Sequence, residues 1–171
     1  PYFKQSLYDE IIHVPLIISG PQIMKKKITQ LMSNMDIFPT IFDLIGIENK
    51  KRNIDGQSFK PIINNLEMKE KPIYLHTMPH ENIEEDDAEG LRTRKYKFLR
   101  STNNHTKNRH LYDLESDQFE NKNIIQTLPE ITKELEENLD HIKSSSTKES
   151  EDISEEETKK IQDELKRLGY M

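Results

Sequence analysis

Residues 11–18, IIHVPLII, form a short apolar run rich in β-branched side chains. Its length and composition predict a strand buried on both faces, as in a parallel sheet. Pro15 has no N–H to give a ladder, which puts that part of the strand at an edge or near its start, and Gly20-Pro21 then breaks the chain. Residues 36–45, DIFPTIFDLI, change period. Ile37, Phe38, Ile41, Phe42, Leu44 and Ile45 cover one broad helical face. Pro39 falls in the first turn, where backbone N–H groups have no intrahelical partner, and Gly46 stands where a left-handed cap is usual. This helix is expected in the core. Residues 49–71 are polar and turn-rich, with Asp55-Gly56 as the clearest turn signal and Ile62, Ile63 and Leu66 marking one short helix.

Three strand patterns follow: 72–76 (PIYLH), 91–99 (LRTRKYKFL) and 110–114 (HLYDL). The polar stretch STNNHTKNR between the last two reads as a long hairpin loop, and the set predicts a small antiparallel sheet. Over 127–142, Thr127 and Glu130 have the spacing of a capping box, and Ile131, Leu135, Leu139 and Ile142 recur at helical spacing. One such stripe suits a helix laid on the sheet. Residues 144–152, SSSTKESED, have the composition of a flexible linker. A second capping box, Ser154 with Glu157, opens a narrow amphipathic stripe of Ile161, Leu165 and Leu168, supported by Glu155–Lys159 and Glu156–Lys160 pairs.

The 171 residues suit one domain, or a domain with a tail, and the chain begins with Pro1, the expected start of a processed chain or a fragment. No stretch approaches the roughly 20 apolar residues of a membrane span, and no secretory leader pattern is visible. The net charge of −6 gives no general attraction to nucleic acid. With no cysteine, disulfides, thiolate metal sites and cysteine nucleophiles are excluded within these residues.

Few residues carry chemistry. Lys4 is a compact cation with three donors, suited to an oxygen of a sulfate or phosphate ester, although a lone lysine is more often a surface residue. His76 and His80 precede the acids Glu81, Glu84, Glu85, Asp86 and Asp87, a set that could hold a divalent metal. Pro79 prevents a helical His pair, however, and such an acidic run is more typical of a solvated loop. Arg92, Arg94, Lys95 and Lys97 could bind an anion; in a continuous strand Arg92 and Arg94 face one way and Lys95 and Lys97 the other. There is no G-x-S-x-G elbow, Gly-rich phosphate loop or H-E-x-x-H zinc helix.

Six segments, in order, resemble the closing portion of type I sulfatases of the alkaline-phosphatase superfamily, the arylsulfatase and N-sulfoglucosamine sulfohydrolase type. They are KQSLYDEIIHVPLII (4–18), MDIFPTIFDLIGI (35–47), DGQSFKPII (55–63), LRTRKYKFL (91–99), LYDLESDQFENKNI (111–124) and the terminal EEETKKIQDELKRLGYM (155–171). The resemblance implies an α/β fold: the C-terminal piece of an alkaline-phosphatase-like α/β sandwich, followed by a small four-stranded antiparallel sheet packed on a helix. Residues 1–66 would supply the final strand and helices of the incomplete large domain and 72–142 the small one. Residues 143–153 would be the linker and 154–171 the terminal helix.

It also implies a mechanism. Members use a Cys or Ser in C/S-x-P-S-R, oxidised to formylglycine, as nucleophile, and hold a divalent cation, usually calcium, with Asp and Asn or His. This sequence has no x-P-S-R motif, no Cys and none of the family's metal-binding Asp stretches, so the resemblance assigns no catalytic or metal residue to it. Lys4 matches the Lys that contacts the sulfate oxygens, and His76 and His80 fall where members build substrate-facing loops. The parent protein is expected to be a sulfuric ester hydrolase acting on a sulfated small molecule or glycan, with the remainder of the sulfatase fold as partner. These residues alone are expected to be inactive. The alternatives are a phosphonate or phosphate ester hydrolase of the same superfamily and a non-catalytic sulfatase-like module. A strand at 11–18 without neighbours would leave backbone groups unpaired, so self-association of the isolated chain is expected.

Overall fold

Four short strands lie side by side in the computed structural model, which describes residues 7–21, 23–47, 55–77 and 87–146. They are β1 (Ile73–His76), β2 (Ala88–Arg92), β3 (Tyr96–Ser101) and β4 (His110–Asp113), in chain order and antiparallel at every junction. Because side chains alternate across a strand, the pairing assigns each to a face. Tyr74, Leu91, Phe98 and Leu111 form one row across all four strands, and His76, Glu89 and Arg100 a second row on the same face. Leu91, Phe98 and Leu111 are fully buried. A helix, α4 (Pro129–Ser146), is tied to this face: its Glu136 takes Arg100 Nη1 at 3.3 Å and Arg109 Nη2 at 2.7 Å. Leu135 and Leu139 of the expected stripe are buried. Arg100 is itself fully buried, and its fork closes on Glu89 with Nε at 3.0 Å and Nη2 at 2.9 Å from Oε1.

The opposite face carries Leu75, Ala88, Leu99 and Tyr112, packed with Leu7, Tyr8 and Leu114. Gly90 lies here because nothing larger fits: a Cβ would stand 2.1 Å from the Phe98 carbonyl oxygen. The segment entering this face contains α1 (Asp9–Ile12), a single turn.

The sheet corrects two readings of the sequence. The pattern at 91–99 is not one strand but the end of β2, a turn over residues 93–95 and the start of β3. Thr93 makes the turn: its N–H donates to the Tyr96 carbonyl at 2.8 Å and its hydroxyl accepts the Tyr96 N–H at 2.9 Å. Arg92 and Lys97 are therefore cross-strand partners on one face, which undoes the alternation expected of a continuous strand. The capping box at Thr127 also does not form. Its hydroxyl donates to the Ile124 carbonyl at 2.7 Å, and α4 begins two residues later at Pro129, a residue suited to the first helical position.

The strand predicted at 11–18 is absent too. Ile11 and Ile12 close α1, and residues 13–20 run without a ladder partner, Val14, Leu16 and Ile17 being exposed. A strand buried on both faces needs neighbours, and the described residues supply none. The helix expected at 36–45 forms as α2 (Ile37–Ile45) and ends on Gly46 at φ 76°. It is not core within the described residues: Phe38, Ile41 and Ile45 are exposed, and Thr40 alone is buried.

Thr40 belongs to a polar clip. The Asp36 carboxylate closes a capping box on Ser33 and also accepts the Gln57 N–H at 2.8 Å. The Thr40 hydroxyl donates to the Asp36 carbonyl at 2.6 Å and accepts the Phe59 N–H at 2.9 Å. Gly56 permits the approach, since a Cβ there would lie 2.1 Å from the Met35 carbonyl oxygen. The clip seats buried Phe59 and leads into α3 (Lys60–Ile63), the short helix expected from Ile62 and Ile63. The chain divides into two compact units, Pro1–Leu139 and Asp140–Met171; only 140–146 of the second are described, and they are helical. The terminal helix expected at 154–171 lies outside the described residues, as does most of the linker.

Thr40→Val is expected to leave the Phe59 N–H unpaired and to destabilise the protein by about 1–3 kcal/mol, whereas Thr40→Ser should keep both bonds. Denaturant midpoints and the exchange rate of the Phe59 amide check this; unchanged exchange in the Val variant would contradict it.

Candidate functional site

A cleft of about 880 Å³ opens where three parts of the chain meet: Tyr8, Asp9, Glu10 and His13, then Arg92 at the end of β2, and residues 118–121 after β4. Its floor is an ion cluster. The Lys97 ammonium has no exposure and lies 2.5 Å from Asp9 Oδ1 and 2.6 Å from Glu120 Oε1, while donating to the Leu7 carbonyl at 2.9 Å. Arg92 forks onto Asp9, with Nη2 at 2.7 Å from Oδ2 and Nε at 3.4 Å from Oδ1. Glu120 returns to the first segment, accepting the Asp9 N–H at 2.7 Å. Two cations and two carboxylates balance.

Local structure places each group. Arg92 and Lys97 are brought together by the Thr93 turn. Asp9 opens α1, where an acid also suits the helix N-terminus. Glu120 sits in the left-handed region at φ 55°, unusual for a residue with a side chain, after a loop held by Asp117, whose carboxylate accepts the Lys122 N–H at 2.8 Å. Backbone hydrogen bonds, from Lys122 first, hold the Asp117 carboxyl below its usual value. Burial alone would raise the Asp9 carboxyl, but the hydrogen bonds and charges of Arg92 and Lys97 outweigh it and hold it below the carboxylate range.

Beside the cluster, Tyr8 and Tyr112 share a hydroxyl contact at 3.3 Å, and Tyr112 reaches His110 Nδ1 at 3.2 Å. Burial pushes the Tyr112 phenol well up and the His110 imidazole down, each toward its neutral form. The cleft mouth is mixed: Glu10, His13, Gln118 and Asn121 surround Phe119, which is 84% exposed.

Of the residues expected to meet substrate, His76 alone is among those described. His76 is exposed on β1, its ring near-parallel to Tyr74 at 6.1 Å, opposite Glu89 and so at the far end of the sheet from Arg92. Lys4 and His80 lie outside the described residues. Arg92 and Lys97, read as a possible anion site, are consumed by Asp9 and Glu120, while Lys95 lies 3.8 Å from Glu115 and over the Tyr96 ring. Among the described residues no three His, Asp or Glu side chains converge as metal ligands, and the sequence has no x-P-S-R motif, so these residues supply neither a calcium site nor a formylglycine precursor. Sequence reasoning missed Asp9 and Glu120, because their common partner Lys97 lies 88 residues after Asp9 and 23 before Glu120, and no Gly or Pro between Lys97 and Glu120 announces the loop that brings them together.

Lys97→Met would leave the buried Glu120 carboxylate without its cation and Asp9 with Arg92 alone, and a loss of about 3–5 kcal/mol is expected; adding Glu120→Gln should recover part of it. Because the folded Asp9 pKa is depressed, its contribution is complete above about pH 4 and is lost as pH falls through the folded value. Stability measured between pH 2 and 6 should therefore fall less steeply toward acid in Asp9→Asn, which starts lower, than in the unchanged protein.

Residues 2–145 match the family model described as N-sulphoglucosamine sulphohydrolase, C-terminal. Arylsulfatase K of Mus musculus is 30% identical over 145 residues, 81% of this chain and 26% of the relative, and arylsulfatase K of Homo sapiens is 30% identical over 148 residues, 82% and 27%. The chain thus spans about a quarter of the length of these curated relatives. Among solved structures, a protein assigned as a sulfatase from Bacteroides thetaiotaomicron matches with a TM-score of 0.73 at 25% identity, over 83% of this chain and 32% of that one. A phosphonate monoester hydrolase of Agrobacterium radiobacter shares the fold with a TM-score of 0.54 at 17% identity, over 68% and 25%. With the small antiparallel sheet, its helix and the segment pinned beneath it, these likenesses show that the chain belongs to the N-sulphoglucosamine sulphohydrolase C-terminal family and corresponds to the C-terminal part of sulfatases of the alkaline-phosphatase superfamily.

Proposed function

We propose that the polypeptide carrying this chain hydrolyses sulfate esters of a sulfated small molecule or glycan, and that this part serves by holding Lys4 against the sulfate. The supporting observation is that the family match runs from residue 2, through the Lys4 stretch, and that the segment just after it is clamped by Asp9, Lys97 and Glu120. A Lys ammonium supplies three donors and a full charge to a sulfate oxygen, stabilising the negative charge that gathers as the S–O bond breaks. The cleft's exposed Phe119 among Glu10, His13, Gln118 and Asn121 gives an aromatic surface and several hydrogen-bonding groups, a lining that suits hydroxylated sugars better than a purely apolar ligand.

By family resemblance the nucleophile is formylglycine and the metal calcium. The described residues supply neither group. In that polypeptide residues 1–66 would close the large domain, 72–142 form the small one, 143–153 the linker and 154–171 the terminal helix, with His76 and His80 on substrate-facing loops. A phosphate or phosphonate ester hydrolase would use the same anion contacts, so substrate preference must separate the readings.

The test uses the longer polypeptide that joins this chain to the segment with the x-P-S-R nucleophile. Turnover of an aryl sulfate should exceed that of the matching phosphate and phosphonate esters, and Lys4→Ala should lower kcat by roughly 10²–10³-fold. The 171 residues alone should show no turnover, since an anchoring cation does not replace a nucleophile. A preference for the phosphonate would overturn the sulfatase reading, and activity in the isolated chain would overturn the supporting role.

A further inference from the structure

We propose that Asn104 is an acceptor for an N-linked oligosaccharide. Asn104-His105-Thr106 has the N-x-T form with a middle residue other than proline, and no other Asn in the 171 residues is followed two positions on by Ser or Thr. The triplet lies in the β3–β4 loop, where residues 103–108 are all exposed. The triplet also closes a local turn onto the Asn104 side chain. Asn104 Oδ1 accepts the Thr106 N–H at 3.1 Å and the Thr106 hydroxyl at 2.7 Å. Asn104 itself is exposed, and among the described residues no hydrogen bond from its carboxamide nitrogen accompanies those to its oxygen.

That arrangement explains why the chemistry needs a hydroxyl two residues on. An amide nitrogen is a poor nucleophile because its lone pair is delocalised into the carbonyl. Two donors on Oδ1 stabilise the imidate-like form left when the nitrogen gives up a proton, and the nitrogen then has a lone pair to use. In the transfer, Asn104 Nδ2 attacks the anomeric carbon of an oligosaccharide carried on a lipid pyrophosphate. The N–C bond forms, the C–O bond to pyrophosphate breaks, the lipid pyrophosphate departs with the electron pair and the amide proton passes to the transferase base. No oxidant or reductant is required.

The loop is supported from below. Lys107 N–H donates to the Asn104 carbonyl at 2.9 Å, Ser101 N–H donates to the Lys107 carbonyl at 3.1 Å, and His105 Nε2 stands 3.5 Å from Glu89 Oε1. The site also leaves the cleft clear. The Arg92–Lys97 pair marks the cleft end of the β2–β3 hairpin, and Ser101 is four residues further along β3, roughly 13 Å away. A glycan on Asn104 projects from the opposite end of the sheet.

The full chain would be expressed behind a cleavable secretory leader in eukaryotic cells and recovered from both medium and lysate. Peptide-N-glycosidase should cause one mobility shift and, in heavy-oxygen water, convert Asn104 to labelled Asp. Asn104→Gln and Thr106→Val should each abolish the shift, and Thr106→Ser should retain it. Ser144→Asn, which places an Asn before Ser145 and Ser146, reports entry into the lumen whether or not the chain folds well. Modification of that variant with Asn104 unmodified would overturn the proposal, as would a shift that persists in Asn104→Gln.

Discussion

A lysine ammonium stripped of water is tolerable only if every lost hydration contact is replaced. For Lys97 the replacements come from Leu7, Asp9 and Glu120, which lie on two segments far apart in sequence. The dependence is mutual: removing either carboxylate, or moving either segment, leaves a charge buried without its counterpart. The free energy that holds this face together comes chiefly from the apolar contacts of Leu7, Leu99, Tyr112 and Leu114. Those contacts would accept a range of sliding positions. The ion cluster does not, so it sets where the 7–12 segment sits on the sheet.

The other face follows the same plan. Leu91, Phe98 and Leu111 supply apolar cover, and the Glu89–Arg100 pair, extended to Glu136, sets the position of α4. A one-residue slip of β3 would carry Lys97 to the α4 face and Arg100 to the cleft face, separating both cations from their acids. Two cross-strand positions, Arg92 opposite Lys97 and Glu89 opposite Arg100, therefore specify a sheet only four to six residues deep. Such short strands carry too few side-chain pairs to fix pairing by pattern alone.

This explains which features were legible in the sequence. The helices at 37–45 and 129–146 and the strands at 73–76 and 110–113 followed from periodicity, because each has an apolar stripe set by its own period. The β2–β3 turn was hidden because Thr93 builds it with its hydroxyl, and the Arg and Lys after it read equally well as strand residues. Residues 11–18 misled in the opposite sense: their composition describes a surroundings of other strands that the described residues do not contain. The cleft was the least legible. Asp9 looks like an ordinary first-turn acid, and nothing about Glu120 suggests a left-handed backbone or a buried lysine partner. Long-range ionic pairing has no local period, so only the resemblance of whole segments pointed toward this region.

Under the proposed function, a small appended sheet would belong to an anion-binding centre without contributing a nucleophile. Chain connectivity keeps Lys4 within three residues of Leu7, at most about 11 Å between Cα atoms. Leu7 is fixed through its carbonyl to Lys97 and through its side chain to the sheet core. A contact between Lys4 and a sulfate oxygen is then useful to catalysis only insofar as the segment after it is held still, because electrostatic stabilisation depends on donors that need no reorganisation as charge develops. The β2–β3 hairpin and the Glu120 turn provide that stillness from elements that begin more than eighty residues later in the chain, which is a physical reason for the sheet and the Lys4 segment to be kept together in one fold.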